Sequence, residues 1–517
     1  MSDAEGRGIT VTEIAPMDEP IDVSSDTVAA FVGRALRGPL NTPILINNFA
    51  GFRRRFGGHW RRSSLGPAVR QFFEHGGNEL YVVRVANNAR GAMICLPAKG
   101  GVLVLRALEP GSTENIRAAV DYDGIGEDDE HHFNLTVQRI APDTGLVVDQ
   151  EIYRRLQCDE YEPAFIGDAL LGSSLVRARF PLPEGRPLAT METGPGFDTA
   201  YVGHAQHGSD GVALSDYDLI GSASRGTGMF SLKEIEHFDL LYMPPPGRHM
   251  DVGPAAILAA ELFCRKRGAM LIMDPPECWE TPRAAVKGIT ESGFSSPDIL
   301  SYYPRMQLRH DDEAIPRAVG AAVAGLLCKM DRIAGPWHDL DQRTFAFNRT
   351  LVPTWAVAID DARLLVKGGL NVIAGNTAGR ATLCGSVTLG RDTQVERKFS
   401  SLNVRRLCLS ITNAIERATR WAVFETQMNQ LAERIHAQVH AYMCGLADEG
   451  ALVDDRFFVQ CDAGFHSRPT EADRGITILL AFHPVGAEVP LSLTLHQTVS
   501  EFRVATTAFA PATAECA

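Results

Sequence analysis

Two histidines have the spacing of a possible metal site. His436 and His440 are four residues apart, so that on a helix both imidazoles would lie on one face. The residues between them are Ala437, Gln438 and Val439, so the glutamate that acts as general base in an H-E-x-x-H site is missing. We therefore interpret the pair as two histidines on a polar helix face and predict no metal site.

Two groups of carboxylates also invite a chemical interpretation. His131 and His132 follow the acidic run 127–130, which could bind a divalent ion weakly or form a solvated loop, and we favour the loop. Asp360 and Asp361 are adjacent carboxylates, but general acid/base catalysis needs a pocket that shifts and positions such groups. Neither group predicts a catalytic centre.

Residues 237–332 alternate strand and helix patterns, which makes a nucleotide-binding enzyme an alternative. Such a site needs glycines between strand and helix, so that backbone N–H groups reach the phosphates. The link here reads PPPGRHMDVGP over residues 244–254, and its first three residues offer no N–H donors. Asp274 ends the next strand pattern, where α/β enzymes often place function, but two prolines follow it and a turn residue is the simpler interpretation. The sequence has no G-x-x-x-x-G-K-[ST] or G-x-S-x-G motif, and we predict neither a cofactor nor catalysis.

Composition narrows the possible partners and compartment. The net charge of −13 argues against general nucleic-acid binding, which depends on a basic surface. None of the ten cysteines forms a C-x-x-C pair, which favours a reduced compartment. The first seven residues are polar, and no apolar run approaches the roughly 20 residues that cross a bilayer. We expect a protein that is made in the cytosol and does not insert into a membrane.

Changes in composition along the chain predict a multidomain fold of the mixed α/β class. It has an α/β core, a mostly β insertion and β-strand arms at both ends, and the alternating region implies a partly parallel sheet. Residues 345–400 have no regular pattern. The predicted divisions are an N-terminal arm (1–26), a core (27–86 and 345–490), a mostly β insertion (87–220), an α/β domain (221–344) and a C-terminal strand and arm (491–517). The joining of 27–86 with 345–490 into one core, and the assignment of both chain ends as arms, are what the family resemblance described below implies.

Two amphipathic helices are predicted after residue 403. Apolar residues recur there at the three- and four-residue spacing of one helix face. The first stripe is Val404, Leu407, Ile411, Ala414, Ala418 and Trp421, and the second is Leu431, Ile435, Val439 and Tyr442.

A series of motifs carries a family resemblance. Near the start the chain reads GITVTEIAP and then TVAAFVGRALRGPLNTPILINNFAGFRRRFGG. The turn Gly208–Gly211 and the strand Phe238–Pro246 follow in the middle, and Asn403–Leu407 and Trp421–Glu425 lie in the closing third. This order resembles that of contractile tail sheath proteins, which occur in phages with contractile tails and in related bacterial injection particles.

The resemblance implies a structural protein without catalytic activity, cofactor or metal. Its expected partners are copies of itself, stacked as hexameric rings around an inner tube, together with the tube protein and with baseplate and tail-terminator or cap proteins. The sheath would be assembled in the bacterial cytoplasm, as part of a phage tail or phage-tail-like particle, and would contract to drive the tube through a target envelope. Each subunit would lend terminal arms to its neighbours.

The chain ends fit such arms physically. An isolated strand has unpaired N–H and C=O groups on both edges, and addition to the sheet of another subunit satisfies them. Pairing within the subunit is the alternative. The predicted arm residues are Ile9, Thr10, Val11, Thr12, Glu13, Ile14, Leu491, Leu493, Leu495, Val499, Phe502 and Val504.

Four arginines of the first C-terminal helix are candidates for contact with the tube, because in the family this region lies nearest the tube. Ion pairs within the chain, with Glu416 or Glu425, are an equally weighted alternative. The four are Arg405, Arg406, Arg417 and Arg420.

Two other functions remain open from the sequence. A Rossmann-like enzyme could use residues 237–332, and would be a soluble monomer with a measurable ligand. A baseplate or tail-terminator component would form single rings instead of long tubes.

Overall fold

The computed structural model describes most of the chain and divides it into two compact units. The described residues are 20–23, 26–141, 144–190, 200–309, 315–338, 346–375, 379–391, 393–424, 428–465, 474–498 and 502–508. The α/β unit comprises Asp26–Ile333 and Leu340–Ser400. The C-terminal unit comprises Met1–Ser25, Ala334–Asp339 and Ser401–Ala517.

The α/β unit contains the following elements. The strands are β1 Ala29–Gly33, β2 Ile44–Ile46, β3 Leu80–Arg84, β4 Met93–Ala98, β5 Gly101–Ala107, β6 Ile116–Asp121, β7 Phe133–Ile140, β8 Val147–Leu156, β9 Val176–Arg179, β10 Val202–Gly203, β11 Leu240–Tyr242, β12 Met270–Met273, β13 Ile299–Tyr303, β14 Met306–Leu308, β15 Leu351–Pro353, β16 Asn371–Gly375 and β17 Ala381–Cys384. The helices are α1 Phe49–Phe56, α2 Leu65–Glu74, α3 Ile166–Ala169, α4 Asp216–Ile220, α5 Pro254–Arg267, α6 Pro282–Ser292, α7 Gly320–Ala334, α8 Ile359–Lys367 and α9 Gln394–Lys398, with 3-10 turns at Leu170–Gly172 and Gly228–Glu234.

An eight-stranded sheet, in the order β17-β16-β13-β12-β11-β1-β3-β2, organises this unit. Its six inner strands are parallel, and β2 and β17 close the two edges in the antiparallel direction. The parallel strands β1, β11, β12 and β13 are buried along their whole length, which explains their continuous apolar sequences. Helix α5 begins with Pro254 in its first turn and ends at Gly268 in a left-handed conformation (φ 64°).

The sheet has a topological switch point between β1 and β11. From β1 the chain continues to the β3 side, whereas from β11 it continues through β12 and β13 to the other side. In open α/β sheets a crevice forms at such a point, outside the carboxyl ends of the strands. The prolines of residues 244–246 follow β11 and therefore lie at this edge.

The insertion between β3 and β11 is built from two antiparallel sheets. One has the order β4-β5-β9 and the other the order β10-β6-β7-β8. Their apolar faces share one core, to which Ile94, Leu103, Ile116 and Leu135 contribute fully buried side chains. The segment therefore has its own hydrophobic centre.

The C-terminal unit combines two helices with one antiparallel sheet. The elements are α10 Leu402–Thr419, a 3-10 turn Arg420–Phe424, α11 Met428–Asp448, β18 Leu452–Phe465, β19 Arg474–Pro484, β20 Leu491–Thr498 and β21 Phe502–Ala508. The sheet order is β18-β19-β20-β21. The second predicted stripe, from Leu431 to Tyr442, is buried, as is the first from Val404 to Ala414.

The mixed α/β class is confirmed, but two expectations about its organisation were wrong. Residues 27–86 do not share a unit with 401–490, because β1 pairs with β11 and draws them into one sheet with 221–344. Residues 345–400 are not irregular throughout, because α8, β16, β17 and α9 lie there. Strand β16 begins with Asn371, a buried polar residue that bonds to the carbonyls of Ser301 and Val387 and so obscures an apolar pattern.

Candidate assembly surfaces

The predicted C-terminal arm is partly an inner strand of its own unit. Strand β20 lies between β19 and β21, and Leu495 is in register with Ile478 on one side and Val504 on the other. Leu491, Leu493 and Leu495 are at most 2% exposed. Their alternation was read correctly as a strand, but these three side chains belong to the hydrophobic core of the chain in this fold.

Strand β21 differs from β20 because, among the residues that the structure describes, it is an edge strand paired with β20 alone. Phe502 is opposite Gln497, and Val504 remains 45% exposed. An edge strand of this kind can be exchanged for the same strand of another copy without a change in the rest of the sheet. Ile9, Thr10, Val11, Thr12, Glu13, Ile14 and Val499 lie outside the described residues.

The residues that follow the predicted N-terminal arm lie against α11. Pro20 and Ile21 line a groove of about 590 Å³ together with Ala437, Ala441 and other residues of that helix. Two residues further on, Val23 packs so closely on Gly445 that an added Cβ would lie 2.8 Å from its side chain. The start of the described chain is thus held by the C-terminal unit.

The four candidate arginines, of which three lie in α10 and Arg420 in the 3-10 turn after it, have different environments. Arg406 is 6% exposed, so its burial does not fit a contact with an outside partner. Arg420 has a half-exposed side chain and pairs with Glu416 one helical turn earlier, at 3.1 Å. The Arg420–Glu416 pair is one of the ion pairs within the chain that were expected as the alternative to tube contact. Arg405 and Arg417 are partly exposed.

A buried arginine joins the sheet to the insertion. Arg84, the last residue of β3, is 1% exposed. Its guanidinium donates to the carbonyls of Ala35, Leu36, Gly38 and Pro110 at 2.5–3.3 Å. Burial lowers the pKa of Arg84 to about 10, so it stays charged at neutral pH. The first three carbonyls follow β1 and the fourth lies in the insertion between β5 and β6, so this one side chain fixes two segments to each other.

Carboxylates extend this joint. Glu109 accepts from the Gly38 N–H at 3.0 Å and pairs with Arg55 at 2.8 Å. Glu114 pairs with Arg139 of β7 at 2.8 Å, and burial raises its pKa in spite of that partner. The network is consistent with a rule for buried charges, which need paired and hydrogen-bonded partners.

The Gly-Ser-Asp-Gly turn has a structural explanation at the same joint. Asp210 accepts from both the N–H and the hydroxyl of Ser112, each at 2.7 Å. Arg34 donates to the carbonyls of Asp210 and Gly211. Gly211 has φ 73°, and a Cβ there would lie 1.9 Å from the carbonyl of Asn87. The motif thus returns the chain from the insertion to the sheet.

Asp274 caps a helix at the carboxyl edge of the sheet. Its carboxylate accepts from the Val319 and Gly320 N–H groups, at 3.0 and 2.8 Å, and from the Tyr242 hydroxyl at 2.6 Å. Burial raises its pKa, whereas these three hydrogen bonds and Arg305 oppose the rise. Its acceptor sites therefore stabilise the start of α7, a role that the sequence did not reveal because the donors lie far along the chain.

The histidine candidates have structural partners. The His436 ring bonds through Nε2 to the carbonyl of Val459 at 3.2 Å, and the His440 ring packs on Phe457. His132 lies 2.7 Å from Asp129, with its other nitrogen against Gln157. Among the described residues no group of three or more potential ligands could hold a metal ion. In the same part of the chain, no helix has the length and apolar character to cross a membrane.

Comparison with known proteins identifies the fold. No known protein-family profile matches the chain. The tail sheath protein of Vibrio phage KVP40 is 28% identical over 145 residues, which are 27% of this chain and about a fifth (20%) of that protein. A crystal structure of a sheath tail protein from Listeria innocua matches with a TM-score of 0.61 and 14% identity, over 92% of this chain and 96% of its own. The contracted helical sheath of the anti-feeding prophage matches with a TM-score of 0.52 and 16% identity, over 93% and 96%. The chain therefore has the fold of tail sheath proteins.

Replacement of Arg84 tests the joint between sheet and insertion. Arg84→Lys keeps the charge but loses the planar set of donors that reaches several carbonyls at once. We expect both Arg84→Lys and Arg84→Met to destabilise the α/β unit by about 3 kcal/mol, because buried carbonyls lose their donors. Calorimetry of the purified protein measures this, with the exposed Arg106→Lys as the matched control. A wild-type melting temperature for Arg84→Lys would contradict the role of the guanidinium.

Proposed function

We propose that this chain is the structural subunit of a contractile tail sheath, and not an enzyme. Copies would stack as hexameric rings around an inner tube and contract to drive the tube through a target envelope. The observation that carries the proposal is the likeness of fold to sheath proteins over more than nine-tenths of the chain. The matched segment of the phage tail sheath protein supports it from the sequence.

The assembly partners follow from this proposal. They are other copies of the chain, the tube protein, and baseplate and tail-terminator or cap proteins, and assembly would take place in the bacterial cytoplasm. The proposed domain roles are a C-terminal unit near the tube and an insertion that varies between sheath proteins. The compact, separately cored insertion supports the second role, since it can change without loss of the eight-stranded sheet.

Terminal arms would link the subunits. Of the C-terminal candidates, Phe502 and Val504 of β21 fit an exchanged strand better than Leu491, Leu493 and Leu495, which fill the core. For the N-terminal arm, residues 9–14, the anchored position of Pro20 and Ile21 on α11 supports a strand that leaves from the C-terminal unit. Exchange of both arms would connect each unit of this kind to those of its neighbours.

Electron microscopy tests the function directly. Purified protein, alone and with candidate tube proteins encoded by neighbouring genes, is expected to form tubes of constant diameter with sixfold symmetry. A variant that lacks residues 1–16 should remain a folded monomer, because its neighbours lose the added strand. Single rings in place of tubes would favour a baseplate or terminator component. A protein that stays monomeric and binds a small ligand would favour the Rossmann-like enzyme.

A cysteine pair tests strand exchange. Thr494 and Ala505 are directly in register on β20 and β21, so Thr494→Cys and Ala505→Cys in one chain can form a disulfide. In assembled tubes we expect oxidation to join different chains into a covalent ladder on a non-reducing gel. Each single variant is the control for the native cysteines. Disulfides confined to single chains within intact tubes would show that β21 is not exchanged.

Charge reversal at Arg420 tests contact with the tube. The arginine is half-exposed, and its pair with Glu416 is of the surface type that contributes little to stability. Arg420→Glu should therefore fold normally but cosediment less with the tube protein, with a larger defect at low salt. Arg363→Glu, which also breaks a pair within a surface helix, is the matched control. Equal cosedimentation of both variants would leave the ion pair as the role of Arg420.

A further inference from the structure

One segment of the chain carries positive charge alone. Residues 27–73 contain eight arginines and no lysine, aspartate or glutamate. Since the whole chain has a net charge of −13, the remaining residues together carry −21. Such an uneven distribution of charge allows one surface of the molecule to attract a different surface of another copy.

Four of the eight arginines are exposed and form what we call the arginine patch. Arg53 and Arg54 lie in the last turn of α1, and Arg61 and Arg62 lie in the turn before α2. Among the residues that the structure describes, no carboxylate pairs with any of these four side chains. The other four donate to carbonyls or carboxylates of the chain; they are Arg34, Arg37, Arg55 and Arg70.

Electrostatics within the subunit explains only part of the arginine patch. Cations are favourable at the C-terminal end of a helix, which accounts for Arg53 and Arg54 on α1. Arg61 and Arg62 instead precede the N-terminal end of α2, where the helix dipole disfavours positive charge. The connection is compact, since a Cβ on Gly58 would lie 3.1 Å from the Arg53 side chain. Like charges are therefore concentrated there, and an anion from outside the subunit would lower their repulsion.

The end of α11 has the opposite charge, which is also in an unfavourable position. Asp448 is the last residue of α11 and Glu449 follows it, and both are exposed. Carboxylates at the C-terminal end of a helix face the negative pole of its dipole. The exposed Glu488 lies in the neighbouring β19–β20 connection, whose Val485 N–H donates to the Ala451 carbonyl at 3.0 Å. Within the described ranges no cation pairs with these three carboxylates, which we call the acidic end.

A second acidic surface, the β6–β7 connection, is less suited to the arginine patch. The last two residues of its acidic run 127–130 are paired with Arg155 and Lys99. The first two, Glu127 and Asp128, are exposed, but they lie in a loop where no helix end opposes their charge. Partner cations therefore remove a larger electrostatic cost at the acidic end of α11 than at this loop.

Partly exposed apolar side chains accompany both charged surfaces. Val453 and Val489 are 52% and 53% exposed, on the strand after α11 and in the β19–β20 connection. Trp60 immediately precedes Arg61, and its ring is fixed because the buried Arg34 guanidinium stacks on it at 4.7 Å. Exposed ion pairs contribute little stability by themselves, so burial of apolar side chains such as these would supply the remainder.

We infer that the arginine patch of one copy binds the acidic end of α11 in a second copy. The two surfaces differ, so the contact is heterologous and can repeat from copy to copy, as rings and helical arrays require. It goes beyond the exchange of arms, because it joins copies through side chains. Tubes that lack this contact would contradict it and leave the sheath proposal intact, whereas association through it without tubes would contradict the sheath proposal alone.

A lysine placed in the arginine patch identifies the carboxylates that face it. Because residues 27–73 contain no lysine, a carbodiimide cannot couple the wild-type patch to a carboxylate, whereas Arg54→Lys and Arg61→Lys each supply an amine at unchanged charge. Isotopically labelled and unlabelled copies are mixed, treated with the carbodiimide, digested and analysed by mass spectrometry. We expect an amide that joins the new lysine to the acidic end of the other copy. Links confined to one chain, or to the β6–β7 connection, would overturn the inference.

Charge reversal at the acidic end separates association from folding. Asp448→Arg with Glu449→Arg should weaken self-association at least about tenfold, because like charges then face each other. The same variant should keep or raise the melting temperature, because cations are favourable at the C-terminal end of α11. Sedimentation measures the association and calorimetry the melting temperature. A lower melting temperature with unchanged association would show that the carboxylates act within the subunit, and would contradict the contact.

Reversal of the arginine patch supplies the complementary variant. Arg61→Glu with Arg62→Glu should weaken association by a similar factor, and an equal mixture with the acidic-end variant should recover it, since opposite charges then meet at every contact between the two. The matched control is Glu127→Arg with Asp128→Arg, which changes the net charge as the acidic-end variant does and should leave association unchanged. Equal weakening by the control, no recovery in the mixture, or a wild-type protein that stays monomeric at every concentration would contradict the contact.

Discussion

The burial of the Arg84 guanidinium is the constraint on which the architecture of the α/β unit depends. A charge that is 1% exposed must be saturated with hydrogen bonds, and four carbonyls from two chain segments do this. The same carbonyls lose their donors if either segment moves. The end of β3, the segment after β1 and the β5–β6 connection of the insertion are therefore fixed together, and Glu109 and the turn at Asp210 reinforce them.

The C-terminal unit follows a different principle, in which backbone groups at a sheet edge matter more than buried charge. Strands β19 and β20 are paired on both sides, whereas β18 and β21 each have one partner within the described part of the chain. Natural proteins protect such edges or use them. Helix α11 packs on β18, and the 3-10 turn Arg420–Phe424 contacts β19 and β20. The proposed exchange of β21 would leave the pairing of β18, β19 and β20 unchanged.

The sequence predicted those features that depend on local patterns. The apolar runs of β11, β12 and β13, the proline at the start of α5 and the stripe of α11 were recognised, because burial on both faces or on one helix face leaves a periodic signal. Which strands lie next to each other in the sheet was not predicted from the sequence. The pairing of β1 with β11 joins residues separated by the entire insertion, and no periodicity records it.

The polar residues were the least predictable, for a related reason. Asp274 was expected to be a turn residue, but its partners are the first N–H groups of α7. Arg406 was grouped with Arg405, Arg417 and Arg420 as a candidate for contact with the tube. Its side chain is buried, however, as are those of Asn403 and Asn413 in the same helix α10. The position of the Asp274 carboxylate depends on partners that are remote in sequence, whereas residue type alone shows only that a buried carboxylate needs such partners.

The close packing of Val23 on Gly445, together with the position of β21, has a mechanical consequence. The described residues nearest to each chain end belong to the C-terminal unit. A tensile force between the two termini can therefore be transmitted through α11 and the sheet of the C-terminal unit. The eight-stranded sheet and the insertion belong to the other unit.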